Sequence, residues 1–302
     1  MVSAIIVTAR LNNYLEGCLN SLKAQALPDL EIILIDNSLP ENKGLAYAAA
    51  LNKGIGMSRG DFILCLNDDV TLEKYFISEA LKGFSISDKV GMVSGKVLRM
   101  DKVTIDTTGL FLTCWRTAKE RGYNQQDKKQ FENPGYIFGV NGAVAFYRRK
   151  MLEELKVAGE YFDADFGFFY EDLDISWRAQ RKGWQGYYVP EAVACHVRGA
   201  SVRSQEGINR PYALRFLNDD LLFDLIKNRY LTIIKNESII GFVIFLPFMF
   251  GYNLLLWGFV LIFRPRVIKK FILEQGYYFS MAFKKRKLIS SALAAPCAPR
   301  RR

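Results

Sequence analysis

The chain has 302 residues, half of them hydrophobic, with 41 Lys and Arg against 31 Asp and Glu for a net charge of +10. Residues 264–302 hold all of that excess: eleven basic residues face one acid, Glu274, and residues 1–263 are neutral overall. Such content excludes a disordered chain. A basic tail beside a neutral body excludes the spread basic face of a nucleic-acid-binding domain and reads as a polybasic membrane-facing end. The five cysteines are scattered without metal or disulfide spacing, which fits a reducing compartment.

Short apolar runs alternate with helical patterns. Residues 3–8 read as a strand rather than a leader peptide, 11–24 as a helix, and 31–35 as a strand ending at Asp36-Asn37-Ser38. An alanine-rich helix is predicted over 43–57. A third strand over 61–66 ends at Asn67-Asp68-Asp69. A helix over 72–84 and a strand over 90–97 follow. This rhythm predicts a parallel sheet covered on both faces, with the ligand beyond the carboxyl ends of the strands. Residues 101–135 are irregular, 136–147 strand-like, 148–156 and 173–182 helical, and 186–197 contains a strand that ends at the only histidine, His196. Residues 198–210 read as a polar loop.

Adjacent carboxylates at a strand end, Asp68 and Asp69, supply the hard oxygen ligands that Mg²⁺ or Mn²⁺ takes, although Asn and Asp also favour plain turns. Glu171, Asp172 and Asp174 open a helix. One of them can serve as a general base, and all three also suit a helix N-terminus. His196 gains meaning only beside the carboxylate pair.

Taken in order, these parts resemble the inverting family 2 glycosyltransferases of the GT-A fold, an α/β Rossmann-like fold for nucleotide-diphospho-sugars. The runs that carry the resemblance include EIILIDNS, NKGLAYAAALNKGI, GDFILCLNDDV, FGVNGAVAFYRRKML and FFYEDLDISWRAQRKGWQGYYVPEAVACHVRGAS. The likeness covers residues 3–235 and is nearest to the rhamnosyltransferase-like branch of bacterial cell-surface polysaccharide biosynthesis. It implies a glycosyltransferase domain over 1–235 and a membrane-association segment over 236–302. It implies that Thr8, Arg10, Asp36, Asn42 and Gly44 lie around the nucleotide, with Asp36 on the pyrimidine. Asn67, Asp68 and Asp69 stand at the family's Asp-x-Asp position, with Asn replacing the first acid. Asp69 is the implied metal ligand, His196 its support, Asp172 the catalytic base and Glu171 its neighbour. Ser201 and Arg203 are implied in a loop over the donor phosphates. The implied cofactor is Mg²⁺ or Mn²⁺, and the implied donor is dTDP-L-rhamnose, with a UDP-hexose or UDP-N-acetylhexosamine as the alternative. A nucleotidyltransferase and an inactive glycan-binding relative are further readings. The processive synthases' Gln-x-x-Arg-Trp motif is replaced by Gln180-Arg181-Lys182-Gly183-Trp184, so one sugar is expected per encounter.

Residues 239–263 carry no charge over 25 positions and are long enough to span a bilayer. A single span would put the cationic tail opposite a cytosolic catalytic domain, against the positive-inside rule. Two short helices meeting near Pro247–Asn253 on one side of the membrane, followed by an interfacial segment over 267–289, are therefore expected in preference. The expected location is the cytoplasmic face of the cell membrane. The expected acceptor is a polyprenyl-diphosphate-linked glycan.

Overall fold

A computed structural model describes residues 1–9, 13–197 and 214–294. The element order is β1 (Val2–Thr8), α1 (Asn13–Lys23), β2 (Leu30–Asp36), α2 (Tyr47–Met57), β3 (Phe62–Asn67), β4 (Val70–Leu72), α3 (Phe76–Phe84) and β5 (Val90–Arg99). Then come β6 (Ile105–Thr107), β7 (Leu110–Leu112), β8 (Ala118–Glu120), β9 (Gly135–Ile137), β10 (Val144–Arg148), α4 (Arg149–Glu154), α5 (Glu171–Arg181) and β11 (Gln185–His196). Three long helices close the described chain: α6 (Asp219–Asn236), α7 (Ile239–Phe263) and α8 (Pro265–Ala294).

The main sheet runs β2-β1-β3-β10-β5-β11-β4, with β6 beside β5 and β9 beside β11. β1 is buried along its whole length and pairs in parallel with β2 and β3. Its side chains alternate between the two faces. Ala4 and Ile6 join α1 and α3 on one face, and Ile5 and Val7 join α2 and α5 on the other. This explains the unbroken apolar run in the sequence.

The sheet is mixed, not parallel throughout. β10 runs antiparallel between β3 and β5, and β4 and β9 run antiparallel to β11. The expected strand over 136–147 is two strands, because residues 138–143 leave the sheet and carry Gly142 toward the site. The helix expected from residue 72 starts at Phe76, and the residues before it form edge strand β4. α2 starts at Tyr47, since Pro40–Asn42 form a short 3-10 turn and Gly44 adopts a positive φ of 84°. The four described cysteines are free.

The expected break near Pro247 is absent, and α7 is one continuous helix. An apolar helix tolerates proline where neighbouring helices support it. α7 runs back along α6. Arg229 of α6 donates to Asn253 Oδ1 at 2.7 Å, Trp257 Nε1 donates to Tyr230 Oη at 2.9 Å, and Arg264 reaches Arg215 O and Leu217 O beside the start of α6. α8 then reverses direction and pairs with α6 through Lys270–Asp220 at 2.7 Å and Arg286 to Ile234 O at 2.6 Å. Leu222, Phe223 and Ile226 of α6, Leu256 and Val260 of α7, and Val267 and Phe271 of α8 form their shared core.

Candidate active site

The carboxyl ends of β1, β2 and β3 lie side by side, with Thr8 opposite Asp36 and Val7 opposite Asn67. Asp36 Oδ1 accepts from Ser38 N at 2.8 Å and Ser38 Oγ at 2.6 Å, which fixes the turn after β2. Asn42 is buried and committed to that turn. Its amide donates to Asp36 O at 2.8 Å, and its Oδ1 accepts from Lys53 Nζ at 2.5 Å. Thr8 Oγ1 donates to Asp68 Oδ2 at 2.5 Å, so the first and third strand ends are joined by side chains.

Asp69 turns the other way, toward His196 at the end of β11. The edge strand β4 pairs with β11 in the register Val70 to His196, which brings the two together. His196 Nε2 lies 3.2 Å from Asp69 Oδ1 without a well-aligned hydrogen bond. The other ring nitrogen, Nδ1, bonds Asp106 Oδ2 at 2.8 Å. Burial by itself would lower the imidazole pKa, but the charge of Asp69 and the hydrogen bond to Asp106 push it up to about 10. Asp106, fully buried on β6, is a hydrogen-bond partner of His196 that the sequence did not reveal. Residues 101–135 show no periodic pattern that would mark it.

The residues at this point fit a divalent cation. Once an ion displaces the ring proton, a buried carboxylate oxygen and a buried ring nitrogen would face it as two ligands, and a carboxylate behind the histidine is the usual partner of a metal-bound imidazole. Among the described residues no group of three or more His, Cys, Asp or Glu stands ready as a metal cluster. The remaining ligands would come from a diphosphate and water, as is common for Mg²⁺.

Glu171 and Asp172 open α5. Asp172 accepts from Gly142 N at 2.9 Å through Oδ2 and from Leu173 N at 2.7 Å through Oδ1, so two backbone donors hold its charged form. Glu171 is buried, and its Oε2 has no hydrogen-bond partner among the described residues. Burial first, and then the charge of Asp172, push its carboxyl pKa well above the usual range. Glu171 is thus the member of the pair that resists ionisation, while two backbone donors favour charge on Asp172. A Cβ at position 142 would lie 3.1 Å from Glu171 Oε1, so glycine lets the backbone N–H approach Asp172.

Phe169 and Tyr170, just before Glu171, both adopt positive φ, 72° and 71°. Two such non-glycine residues cost about 1–3 kcal/mol each and persist only where the surroundings impose them. Tyr47, the first residue of α2, joins the two acidic clusters. Its hydroxyl bonds Asn67 Oδ1 at 2.8 Å and Gly142 O at 3.3 Å. Tyr47 lies in the run NKGLAYAAALNKGI that carries the family resemblance, but nothing in that run singles out its hydroxyl. Its role appears only when the loop over 138–143 folds against it.

The structure therefore brings together Thr8, Asp36, Asn67, Asp68, Asp69, Glu171, Asp172 and His196. It places Asn42 behind the turn and Gly44 with open space where a Cβ would stand. Arg10, Ser201 and Arg203 lie outside the described residues.

A mixed α/β sheet with acids converging beyond its strand ends is the setting of a sugar-nucleotide transferase. The family described as glycosyltransferase like family 2 matches residues 24–210, and the chain belongs to that family. It is a glycosyltransferase. The poly-beta-1,6-N-acetyl-D-glucosamine synthases of Staphylococcus aureus strains COL and N315 are each 24% identical to it over 163 residues, 54% of this chain and 36% of theirs. The chain thus spans about a third of the length of these curated relatives. A crystal structure of GalNAc-T7 with UDP, GalNAc and Mn²⁺ shares the fold, with a TM-score of 0.54 and 11% identity over 78% of this chain and 47% of that one.

Proposed function

We propose that the chain is an inverting, metal-dependent transferase that moves one sugar from a pyrimidine nucleoside diphosphate to an acceptor hydroxyl at a membrane surface. The observation that carries this reading is the Tyr47 hydroxyl, which joins the Asn67–Asp69 turn to the Gly142 loop that holds Asp172. That bridge supports a reading in which the carboxylates of the Asn67–Asp69 turn serve the diphosphate and Asp172 serves the acceptor.

Thr8 and Asp36 orient the nucleoside, and Asp69 with His196 would hold Mg²⁺ or Mn²⁺. Such an ion would supply positive charge to the leaving diphosphate. Asp172 accepts the proton of the acceptor hydroxyl as its oxygen attacks the anomeric carbon and the bond to the diphosphate breaks. The displacement inverts the anomeric centre. Glu171, whose carboxyl pKa burial pushes above its ordinary range, leaves Asp172 to act as the base.

Two donors are in view. The sequence resemblance favours dTDP-L-rhamnose. The N-acetylglucosamine polymer in the name of the staphylococcal relatives favours a UDP-N-acetylhexosamine. A thermal-shift screen of both with Mn²⁺ tests the reading. A donor at a hundred times its Kd raises stability by about 2.7 kcal/mol. Release of nucleoside diphosphate is expected on turnover. Pyrophosphate release would identify a nucleotidyltransferase instead, and no shift with any sugar nucleotide would defeat the proposal.

Residues 1–235 serve as the catalytic body and 236–302 as its membrane-facing segment. α7 passes the length and composition test for a span and leaves Ile239, Val243, Phe250, Leu254 and Leu261 exposed. Its middle is bonded to α6 through Asn253 and Trp257, and Arg264 just past its end lies 3.6 Å from Asp219 of α6, a helix that also carries Asp220, Asp224, Lys227 and Arg229. A crossing α7 would draw those charges into hydrocarbon, at a cost that makes them rare there. α7 therefore lies in the plane of the interface, with Arg266, Lys269, Lys284 and Lys287 of α8 exposed to anionic headgroups on the cytoplasmic face. The acceptor is then a glycan on a polyprenyl diphosphate. A C-terminal tag on the same side as the catalytic body in sealed inverted vesicles is the expected result. Protection of the tag alone would show a span.

A further inference from the structure

The segment that delivers Asp172 has no regular structure of its own. Residues 163–170 lead into α5 and end in the two left-handed residues Phe169 and Tyr170. Side chains from the C-terminal helices hold it. Asn228 of α6 donates to Phe168 O at 2.7 Å and Phe169 O at 2.9 Å. Asp224 accepts from Phe168 N at 3.2 Å and approaches Gly167 so closely that a Cβ there would lie 2.2 Å from its Oδ2. Lys227 donates to Asp165 O at 3.0 Å.

The last clamp comes from α8. Lys285 is 7% exposed, pairs with Asp163, and lies 2.7 Å from Asp165 Oδ2 and 3.5 Å from Glu160 Oε2. The second oxygen of Asp163 meets Lys235 Nζ at 2.5 Å, and the same ammonium lies 2.9 Å from Asp174 Oδ1, two residues past Asp172 on α5. Arg178 and Asn236 complete the bonds to Asp174. The exposed neighbours Lys284 and Lys287 face solvent, so Lys285 is turned inward among cations that point out.

We propose that Lys285 is a positioning residue for glycosyl transfer: α8 holds, through Lys285, the segment that presents Asp172. The proposal rests on Asp172 being the base. Without this ammonium, Asp163, Asp165 and Glu160 face one another with Lys235 on Asp163 and Lys227 beside Asp165 as the remaining cations. Like charges in a buried setting then push the segment away from α8. The donor half of the site, built on β1, β2 and β3, does not touch this cluster.

The test uses the full chain in anionic vesicles, with UDP-N-acetylglucosamine and dTDP-L-rhamnose as donors and Mn²⁺ present. Lys285→Met is expected to lower kcat at least tenfold, with donor KM and UDP–Mn²⁺ affinity within twofold of wild type. Lys285→Arg is expected to restore most of kcat. Hydrogen exchange is expected to rise in 163–173 and stay unchanged in 1–70. Lys285→Gln serves if Lys285→Met does not fold. A wild-type kcat in either variant, or a parallel loss of kcat and UDP affinity with no rescue by Lys285→Arg, overturns the proposal. Asp172→Asn in the same assay separates the two readings. If Asp172→Asn is inactive and Lys285→Met is unimpaired, the clamp fails and the base stands. If Asp172→Asn is active, the base fails and the clamp falls with it.

Discussion

Asp69 reaches the site from the end of a strand in the middle of the sheet, whereas Asp172 reaches it from an irregular segment clamped by helices more than fifty residues further along. The donor side is positioned by parallel register, in which β1, β2 and β3 end together and their turn residues follow at once. The base side is positioned by long-range side-chain contacts that impose two left-handed residues on the backbone. One half is a product of local chain order. The other half depends on the whole molecule having closed. The donor side should therefore tolerate damage to the C-terminal helices that the base side does not.

The largest effect that sharpens this comparison is expected for Asp172→Asn. General-base catalysis contributes about 10²–10⁴-fold, so turnover should fall by that much while a UDP–Mn²⁺ thermal shift persists. Near-normal turnover would remove the base from this half. Lys235→Met comes next, because it removes the buried ammonium that Asp163 and Asp174 share and leaves them to Lys285 and Arg178 alone. Breaking such a pair costs about 3–5 kcal/mol, to be read as a lowered denaturation midpoint. A loss below 1 kcal/mol would mean that the cluster does not hold the base half.

Phe250→Glu with Leu254→Glu tests the outer face of α7, where both residues are exposed. Removing two apolar side chains worth about 1.5–3 kcal/mol each from the lipid should cut vesicle binding at least tenfold, with Tm in detergent unchanged. Retained binding would place the membrane contact elsewhere. Asp106→Asn probes the donor half from behind His196. Such second partners of a metal ligand are worth about 10–100-fold in affinity, measured here by Mn²⁺ titration in the presence of UDP. An unchanged titration would separate His196 from the metal.

Glu171→Gln is the smallest effect. Burial holds the proton on folded Glu171 at pH values where the unfolded chain has lost it. The associated stability is full below about pH 4 and is lost as pH rises through the raised folded-state pKa. The glutamine removes that loss. A gain in Tm of roughly 2–4 °C at neutral pH, vanishing in acid, is expected. A gain independent of pH would point to packing instead.

The donor half was legible in the sequence because strand ends are marked locally. EIILID and DFILCLNDD each show an apolar run and its polar stop within ten residues. The acids of α5 were legible as a cluster, and so was the split in charge between body and tail. Asp106, Tyr47 and Lys285 were not. Each acts through a partner 90, 20 or 122 positions away: His196, Asn67 and Asp163 respectively. Nothing near them in the chain announces the contact. The antiparallel insertion of β10 and the continuity of α7 through Pro247 were hidden for a related reason. Strand direction is chosen by neighbouring strands, and a proline is tolerated or not according to what packs around it.

The order of residues by itself thus determined a strand-ended acidic site, a family, and a hydrophobic and cationic tail. Periodicity and composition need only near neighbours. The bond from Asp106 to His196, the two backbone donors on Asp172, and the reach of α6 and α8 back to residues 163–170 were decided only by the tertiary structure. Burial and charge pairing depend on groups that chain order leaves far apart.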